Sequence, residues 1–339
     1  MSLAYLLLLL AGLLASVAQR QPTPSDASTD GIQPGHALNK EAYLTFLGPY
    51  VMAEGKHDAD MVDWYFVSAR YLLYRLMKHE LTKTKQPRDF LVLITSGISD
   101  WKRETLEKDG AKLVEVPPDV LKQLLQPESS WLTSEKRWKY NFAKLHAWNL
   151  IQYERIAYID ADVWVRANMD GMFSYVTNFP FAAVRDLEHN IFLGLRTLSE
   201  GFNAGLFALQ PSQEVFKHMV SLINNVDKYK IHNMEQGFLN YYYGVSWNEI
   251  PREYSGNHLG QALELNYSRS AHEKMWTKLG SCGGQGEMAL VWLKELLADM
   301  PEYQGDARIA SAGSNRMRAA LARMVHGHLR QVVGRRMGF

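Results

Sequence analysis

Apolar residues in the first half of the chain follow two spacings. Some stretches are rich in β-branched and aromatic residues and end in turn-forming residues, as strands do. Others have apolar residues three and four positions apart, the spacing of amphipathic helices. The predicted strands are 41–47, 88–97, 111–118 and 155–163. The predicted helices are 63–81, with Asp63 as a plausible N-cap, 99–110, which Gly110 closes, and 140–153.

The second half of the chain continues with shorter elements. Three further strands, 181–186, 201–212 and 243–251, alternate with two helices, 212–226 and 234–244. Alternating strands and helices with short connections are typical of an α/β domain with a largely parallel sheet. The pattern therefore predicts the α/β class.

The N-terminal segment is apolar without a break. Residues 3–18 are fewer than the roughly 20 that a membrane-spanning helix needs, and Ser16 and Ala18 fit a signal-peptide cleavage site. No basic residue precedes the apolar run, so a short anchor remains an alternative. We expect residues 1–20 to be a signal peptide or short membrane anchor and residues 21–40 to be a flexible linker. This expectation places the protein in the secretory pathway, with the cytoplasm as the alternative.

A helical extension is predicted at the C-terminal end, over residues 281–339. The stretch 286–300 forms one amphipathic helix, and 315–339 forms another with six arginines and no acidic residue. A basic amphipathic helix can lie on an anionic membrane surface. Apolar stripes usually pack on a core, and Gly327 weakens the second helix. We therefore favour packing on the domain and keep peripheral membrane contact as the alternative.

Charge and cysteine content narrow the function classes. The net charge is +1 over 339 residues, so nothing in the overall charge predicts a nucleic-acid partner. Cys282 is the single cysteine and cannot form an internal disulfide. Apolar residues make up 47 % of the chain, which is enough for a sizeable core. Composition thus indicates a globular protein and leaves its function to the motifs.

Two aspartates end the fourth predicted strand, in the stretch RIAYIDADVW. Residues two apart in an extended segment point the same way, so Asp160 and Asp162 would project together. The carboxyl edge of an open α/β sheet is where ligands bind. Two close carboxylates repel unless a cation lies between them, and such oxygens suit Mg²⁺ or Mn²⁺ with substrate phosphates. The pair predicts a metal–diphosphate site, with two solvated turn aspartates as the alternative.

The surroundings of this pair resemble a known enzyme family. The segment 144–173, KLHAWNLIQYERIAYIDADVWVRANMDGMF, is similar to the central motif of the glycogenin-like branch of glycosyltransferase family 8. Other segments match in the order of that family. They are DWYFVSARYLLYRL, FNAGLF, EQGFLN, EIPREYSGN and HEKMW, and the resemblance runs from about Tyr43 to Trp276.

The resemblance implies a fold and an activity. The implied fold is the GT-A-type nucleotide-diphospho-sugar transferase fold, a single Rossmann-like α/β domain with a mixed, largely parallel sheet over residues 41–280. The implied activity uses a UDP-sugar donor and Mn²⁺ (or Mg²⁺) and retains the anomeric configuration. The acceptor is a glycan, a protein or a small molecule that the sequence does not identify.

The resemblance also implies roles for individual residues. The implied metal ligands are Asp160, Asp162 and His272. The implied catalytic residues are Glu235, Gln236 and Lys144. The implied donor-binding residues are Tyr65, which would stack on uracil, together with Thr45, Asn203 and Lys274.

The chain departs from the family pattern at several points. Glu235 stands where the family has aspartate, and the segment 272–276 is shorter than its counterpart, so both Lys274 and Lys278 are candidates for the diphosphate contact. No evident match exists to the segment on which glycogenin glucosylates itself, which argues against a true glycogenin. Two alternatives therefore stand beside the transferase hypothesis. They are a non-catalytic nucleotide-sugar or glycan-binding relative and a phosphohydrolase of the haloacid-dehalogenase type, which also places Asp-x-Asp after a strand.

Overall fold

The computed structural model describes residues 40–49, 62–125, 136–190, 195–257, 268–272, 275–279, 284–304, 306 and 309. Several sequence predictions concern other residues and lie outside these ranges. They are the segment 1–20, the linker up to residue 39, the helix 315–339, Lys274 and Cys282.

Within the described ranges, ten strands form two sheets. The strands are β1 (Glu41–Leu47), β2 (Asp89–Ile94), β3 (Lys112–Glu115), β4 (Arg155–Ile159), β5 (Val163–Val165), β6 (Phe181–Asn190), β7 (Leu195–Leu209), β8 (Asn248–Ile250), β9 (Gly256–Asn257) and β10 (Ser270–His272). The larger sheet has the order β3-β2-β1-β4-β7-β6-β8, and the smaller has the order β5-β10-β9. In the larger sheet β7 runs antiparallel to β4 and β6, and the other neighbours are parallel. The predicted mixed, largely parallel sheet is confirmed.

Helices connect and cover these strands. The α-helices are α1 (Trp64–Met77), α2 (Asp100–Asp109), α3 (Pro118–Leu124), α4 (Gln213–Leu222), α5 (Met234–Tyr243), α6 (Met275–Lys278) and α7 (Gly284–Asp299). Segments of 3₁₀-helix are Lys136–Asn149, Asp170–Tyr175, Ile231–Asn233, Arg252–Tyr254 and Pro301–Tyr303. The predicted caps are confirmed. Asp63 accepts hydrogen bonds from the amides of Tyr65 and Phe66, and Gly110 closes α2 with a φ of 107°.

The large sheet is buried on both faces. Its alternating side chains form one apolar cluster with α4 and α5, which includes Leu44 of β1, and another with α1, which includes Tyr43 of β1. This two-residue alternation is the geometry of a strand. Because α1 and α5 lie on opposite faces, their N-terminal ends approach the sheet edge from the two sides.

The fourth predicted strand, 155–163, is two strands in the structure. β4 ends at Ile159, and residues 160–162 form a turn in which the amide of Val163 donates to the carbonyl of Asp160 at 3.0 Å. The chain then enters β5 in the smaller sheet. The two aspartates therefore lie in a turn between two sheets, and the strand alternation used to predict their common direction does not apply.

The predicted amphipathic helix 140–153 differs from the helix observed. The structure has 3₁₀-helix over Lys136–Asn149, and residues 142–148 are all buried. Most of these buried residues belong to the apolar cluster that includes α4 and α5. Its apolar pattern thus reflects general burial and not one apolar face.

The described part of the C-terminal extension packs on the domain. Leu293 and Leu296 of α7 share an apolar cluster with Val67 and Tyr71 of α1. Among the described residues, none of the helices combines the length and the apolar character that crossing a bilayer requires.

Candidate active site

A cavity of about 570 Å³ opens where the strand ends and helix starts meet. Its wall contains the end of β1, the turn after β4 and the N-terminal ends of α1 and α5. Eight of the ten predicted site residues line it: Tyr65, Lys144, Asp160, Asp162, Asn203, Glu235, Gln236 and His272. Residues far apart in the sequence therefore share one cavity.

The two aspartates and His272 face one another. β10 pairs antiparallel with β5, and this pairing sets His272 opposite Val163, directly after the turn that carries the aspartates. The Nε2 atom of His272 lies 3.5 Å from Oδ2 of Asp160 and 3.4 Å from Oδ1 of Asp162. One ligand atom from each residue lies within 4.8 Å of the other two.

This group fits a divalent metal ion in two respects. Ligands about 2.1 Å from an octahedral ion and at right angles to one another lie about 3 Å apart, close to the separations found here. Two carboxylate oxygens with one imidazole nitrogen form a donor set that suits Mn²⁺.

Electrostatics also favour a cation between these residues. Burial acts to lower the pKa of His272, but hydrogen bonding to Asp160 and Asp162 and their negative charges raise it to about 10. Burial likewise acts to raise the pKa of Asp160, but the positive charges of Lys144 and His272 and their hydrogen bonds to the carboxylate together hold that pKa well below its usual range. The site thus keeps the Asp160 carboxylate ionised and attracts positive charge.

Lys144 links the metal-binding residues to α5. Its buried Nζ lies 2.8 Å from Oδ1 of Asp160 and 2.7 Å from Oε1 of Glu235. Burial acts to lower the pKa of Lys144, whereas the two carboxylates raise it above its usual value, so the ammonium form is retained. The hydroxyl of Tyr158 donates to the same oxygen of Asp160 at 2.6 Å. One oxygen of Asp160 therefore accepts from two buried donors, which holds the carboxylate in place.

The start of α5 is strained where it enters the cavity. Met234 has a φ of 49°, the one positive value among the non-glycine residues that the structure describes. Such backbone strain persists where the surroundings enforce it, and it often lies at functional sites. Met234 is buried, and the next two residues are Glu235 and Gln236.

Gln236 is fixed at both ends of its amide. Its Oε1 accepts from the backbone amide of Ala204 at 3.0 Å, and its Nε2 donates to Oδ2 of Asp186 at 2.9 Å. Asn203 lies beside it on β7, where its Oδ1 accepts from the amide of Gly205 at 2.9 Å. These bonds fix two amide side chains on the cavity wall.

Position 205 requires a glycine because the ring of His272 lies close to its backbone. A Cβ atom at this position would lie 2.0 Å from Cε1 of His272. The carbonyl of Gly205 also accepts from the amide of Asp160 at 2.8 Å. Because Gly205 has no side chain, β7 can lie against the His272 ring while its backbone accepts the hydrogen bond from Asp160.

The remaining predicted donor contacts differ in position. Tyr65, at the start of α1, is 38 % exposed, so its ring is accessible to a ligand. Thr45 is fully buried, it does not line the cavity, and its hydroxyl has no hydrogen-bond partner among the described residues. A direct contact between Thr45 and a bound donor therefore has no support in this geometry. Lys278 lies in α6 and not on the described cavity wall.

Sequence reasoning missed some residues of the site. Asp186 was part of a predicted strand, and nothing in its local pattern indicated the bond to Gln236. Gly205 lies in the stretch FNAGLF, and the match of this stretch to the family was the signal that could have identified it as a site residue. Tyr140 and Asn141 also line the cavity, directly before the matched segment that begins at Lys144.

Comparison with known proteins gives one family and several relatives. Glycosyl transferase family 8 matches residues 63–277. An uncharacterised protein of Schizosaccharomyces pombe is 28 % identical over 282 residues, which cover 68 % of this chain and 72 % of the relative. The inositol phosphorylceramide glucuronosyltransferase 1 of Arabidopsis thaliana is 26 % identical over 50 % of this chain, and the match spans only 27 % of that protein.

A solved structure has a similar fold. The galactosyltransferase LgtC in complex with donor and acceptor sugar analogues superposes with a TM-score of 0.51 at 15 % identity, covering 78 % of this chain and 99 % of LgtC. At this level of identity the similarity concerns the fold alone.

Proposed function

The chain belongs to glycosyl transferase family 8, and from that premise we propose that it transfers a sugar from a UDP-sugar to an acceptor with the help of a divalent metal ion. The observation that carries the proposal is the convergence of Asp160, Asp162 and His272 on one cavity beside the ion pair of Lys144 and Glu235. The family match argues against the alternative of a phosphohydrolase of the haloacid-dehalogenase type.

The proposed metal ligands are Asp160, Asp162 and His272. Bound there, Mn²⁺ supplies Lewis-acid stabilisation of the diphosphate leaving group. The turn between β4 and β5 and the pairing of β10 with β5 hold these ligands in place before any donor arrives. Preorganised ligands of this kind reduce the reorganisation that binding requires.

Lys144 has a positioning role in this proposal. Its ammonium group holds Asp160 toward the metal site and Glu235 toward the sugar. Removing the charge would leave the buried carboxylate of Glu235 and the partly buried carboxylate of Asp160 without their shared partner, which is strongly unfavourable.

Glu235 and Gln236 act on the reacting sugar. Breaking the bond between the anomeric carbon and the diphosphate oxygen leaves positive charge on the sugar ring. The carboxylate of Glu235 stabilises that charge, and fixed groups of this kind contribute about 10²- to 10³-fold in rate. Gln236, held by Ala204 and Asp186, limits the positions open to the sugar.

The donor proposal has two finer parts. The exposed ring of Tyr65 offers a surface on which a uracil base can stack. Retention of the anomeric configuration is proposed on the family resemblance. The acceptor remains a glycan, a protein or a small molecule, and the donor sugar stays open.

A panel of UDP-sugars with Mn²⁺, scored for released UDP, tests the proposal. Asp162→Ala should lower turnover at least about 100-fold, because it removes a metal ligand. Asp227→Ala is the matched control, because Asp227 is an exposed carboxylate paired with Lys228, away from the cavity wall. The control should turn over like the unmodified protein.

Two results would contradict the proposal. One is undiminished turnover by folded protein in excess chelator. The other is release of no UDP from any donor, with or without candidate acceptors, which would favour a binding protein without catalysis.

A further inference from the structure

One segment of β7 lacks part of its strand pairing where it lines the cavity. The register between β6 and β7 shifts after Ala183, so residues 204–206 of β7 have no partner in the described pairing with β6. On the other side of β7, the pairing with β4 ends at Leu206. Buried backbone groups need hydrogen-bond partners. On the side of β4, residues 202–205 therefore need partners from outside the strands.

Two amide side chains of α5 supply such partners. The Oδ1 atom of Asn240 accepts from the backbone amide of Phe202 at 2.9 Å, and its Nδ2 donates to the carbonyl of Phe202 at 2.9 Å. Gln236, four residues earlier, accepts from the amide of Ala204 at 3.0 Å. Residues four apart lie on the same face of a helix. This face of α5 therefore continues the pairing of β7 beyond the end of β4.

Asn240 makes a third hydrogen bond, to the backbone of Gln236 itself. Its Nδ2 donates to the carbonyl of Gln236 at 2.9 Å. Gly201 provides the space, because a Cβ atom there would collide with Oδ1 of Asn240. A side-chain amide has a donor and an acceptor, as a backbone residue does, whereas a carboxylate only accepts. The three bonds of Asn240 thus fix the distance between Gln236 and the strand residue that it binds, Ala204.

We infer that Asn240 is a positioning residue for sugar transfer and that it acts through Gln236. Asn240 is not on the cavity wall, so it would affect the sugar only by holding Gln236 against β7. The inference rests on the proposed function, which assigns Gln236 to the reacting sugar. A displacement of about 1 Å in such a group can lower the rate about 100-fold. Loss of the Asn240 amide should therefore slow turnover and leave the binding of UDP with Mn²⁺ intact.

Asn240→Leu tests this inference, because it keeps the approximate size of the side chain and removes its hydrogen bonds. With Mn²⁺ and a donor that the unmodified protein turns over, kcat should fall at least about tenfold, whereas the Kd of UDP should change less than about threefold. Turnover is divided by the number of UDP sites counted in a calorimetric titration, so unfolded protein does not lower the value.

Asn248→Leu is the matched control. Asn248 is also partly buried, it donates to the carbonyl of Phe179 at 3.1 Å, and it is not on the cavity wall. The control should keep the kcat of the unmodified protein.

Two further variants examine the route through Gln236. Gly201→Ala should displace the Asn240 amide from the opposite side, so it should lower kcat and keep the Kd of UDP. In a Gln236→Ala background, adding Asn240→Leu should lower kcat by less than about threefold, because changes that act through one group are not additive.

The outcomes separate the inference from the proposed function. Unchanged kcat per UDP site in Asn240→Leu would overturn the inference and leave the proposed function standing. The same holds if Asn240→Leu lowers kcat equally with and without the Gln236 side chain. If Asn240→Leu and Gly201→Ala both lack UDP sites that the unmodified protein has, Asn240 serves the fold and the inference is wrong. Absence of turnover by the unmodified protein with every UDP-sugar would contradict the proposed function and the inference together.

Discussion

A methyl group at position 205 would occupy space that the His272 imidazole fills. The Cβ atom would lie 2.0 Å from Cε1 of the ring, so the ring must move. Because His272 is a proposed metal ligand, we predict that Gly205→Ala lowers the affinity for Mn²⁺ by about tenfold or more. Calorimetric titration of metal-free protein with Mn²⁺ measures this change.

Gly110→Ala is the matched control for that variant. Gly110 has a φ of 107° and open space around its Cα, at the end of α2. An alanine there is strained, so it should lower the Tm through the backbone and leave Mn²⁺ affinity unchanged. Equal metal affinity in both variants would show that His272 does not depend on Gly205 for its position.

At the scale of elements, α7 is held to α1 by apolar and polar contacts. Leu296 is fully buried in the cluster that includes Val67 and Tyr71. The side chain of Asp299 accepts from the hydroxyl of Tyr71 at 3.0 Å and from Nη1 of Arg75 at 3.2 Å. The N-terminal end of α1 carries Tyr65 on the cavity wall. Contacts with α7 thus support a helix that begins in the proposed donor site.

Leu296→Ala should therefore destabilise the whole domain. Removing a fully buried leucine side chain typically lowers the free energy of unfolding by about 2–5 kcal/mol. Val291→Ala, on the same helix at a position 46 % exposed, should change it by less than about 1 kcal/mol. Urea denaturation of both variants gives the comparison. If both variants lose less than about 1 kcal/mol of unfolding free energy, α7 is an extension separate from the domain, in agreement with the predicted domain boundary at residue 280.

At the scale of the whole molecule, the proposed ligands should stabilise the fold together. A ligand that binds only the folded protein raises the free energy of unfolding by RT ln(1 + [L]/Kd). Because a diphosphate would share the metal with Asp160, Asp162 and His272, UDP and Mn²⁺ together should raise the Tm more than the sum of their separate effects. Thermal unfolding followed by circular dichroism gives the Tm of the protein alone, with UDP, with Mn²⁺ and with both.

Asp162→Ala provides the internal test of this coupling. The variant lacks a metal ligand, so any stabilisation by UDP should become independent of Mn²⁺. Strictly additive effects of UDP and Mn²⁺ in the unmodified protein would mean that the two ligands bind at separate places.

The amino-acid sequence by itself determined much of the local structure. Period-two and helical patterns predicted β1, α1 and α5, and Asp63 and Gly110 marked the ends of helices correctly. These features depend on neighbours a few residues apart, so short windows contain the necessary information. The order of the matched motifs indicated the family, and eight of the ten predicted site residues line one cavity.

Only the tertiary structure decided how those residues are arranged. The aspartates share a turn between two sheets, His272 reaches them through the pairing of β10 with β5, and Lys144 joins them to Glu235. Thr45 is fully buried and does not line the cavity, although the family resemblance had implied a donor contact there. Each of these outcomes depends on contacts between residues far apart in the chain. Local patterns carry no information on the direction or spacing of such contacts, because packing across the sheet sets both.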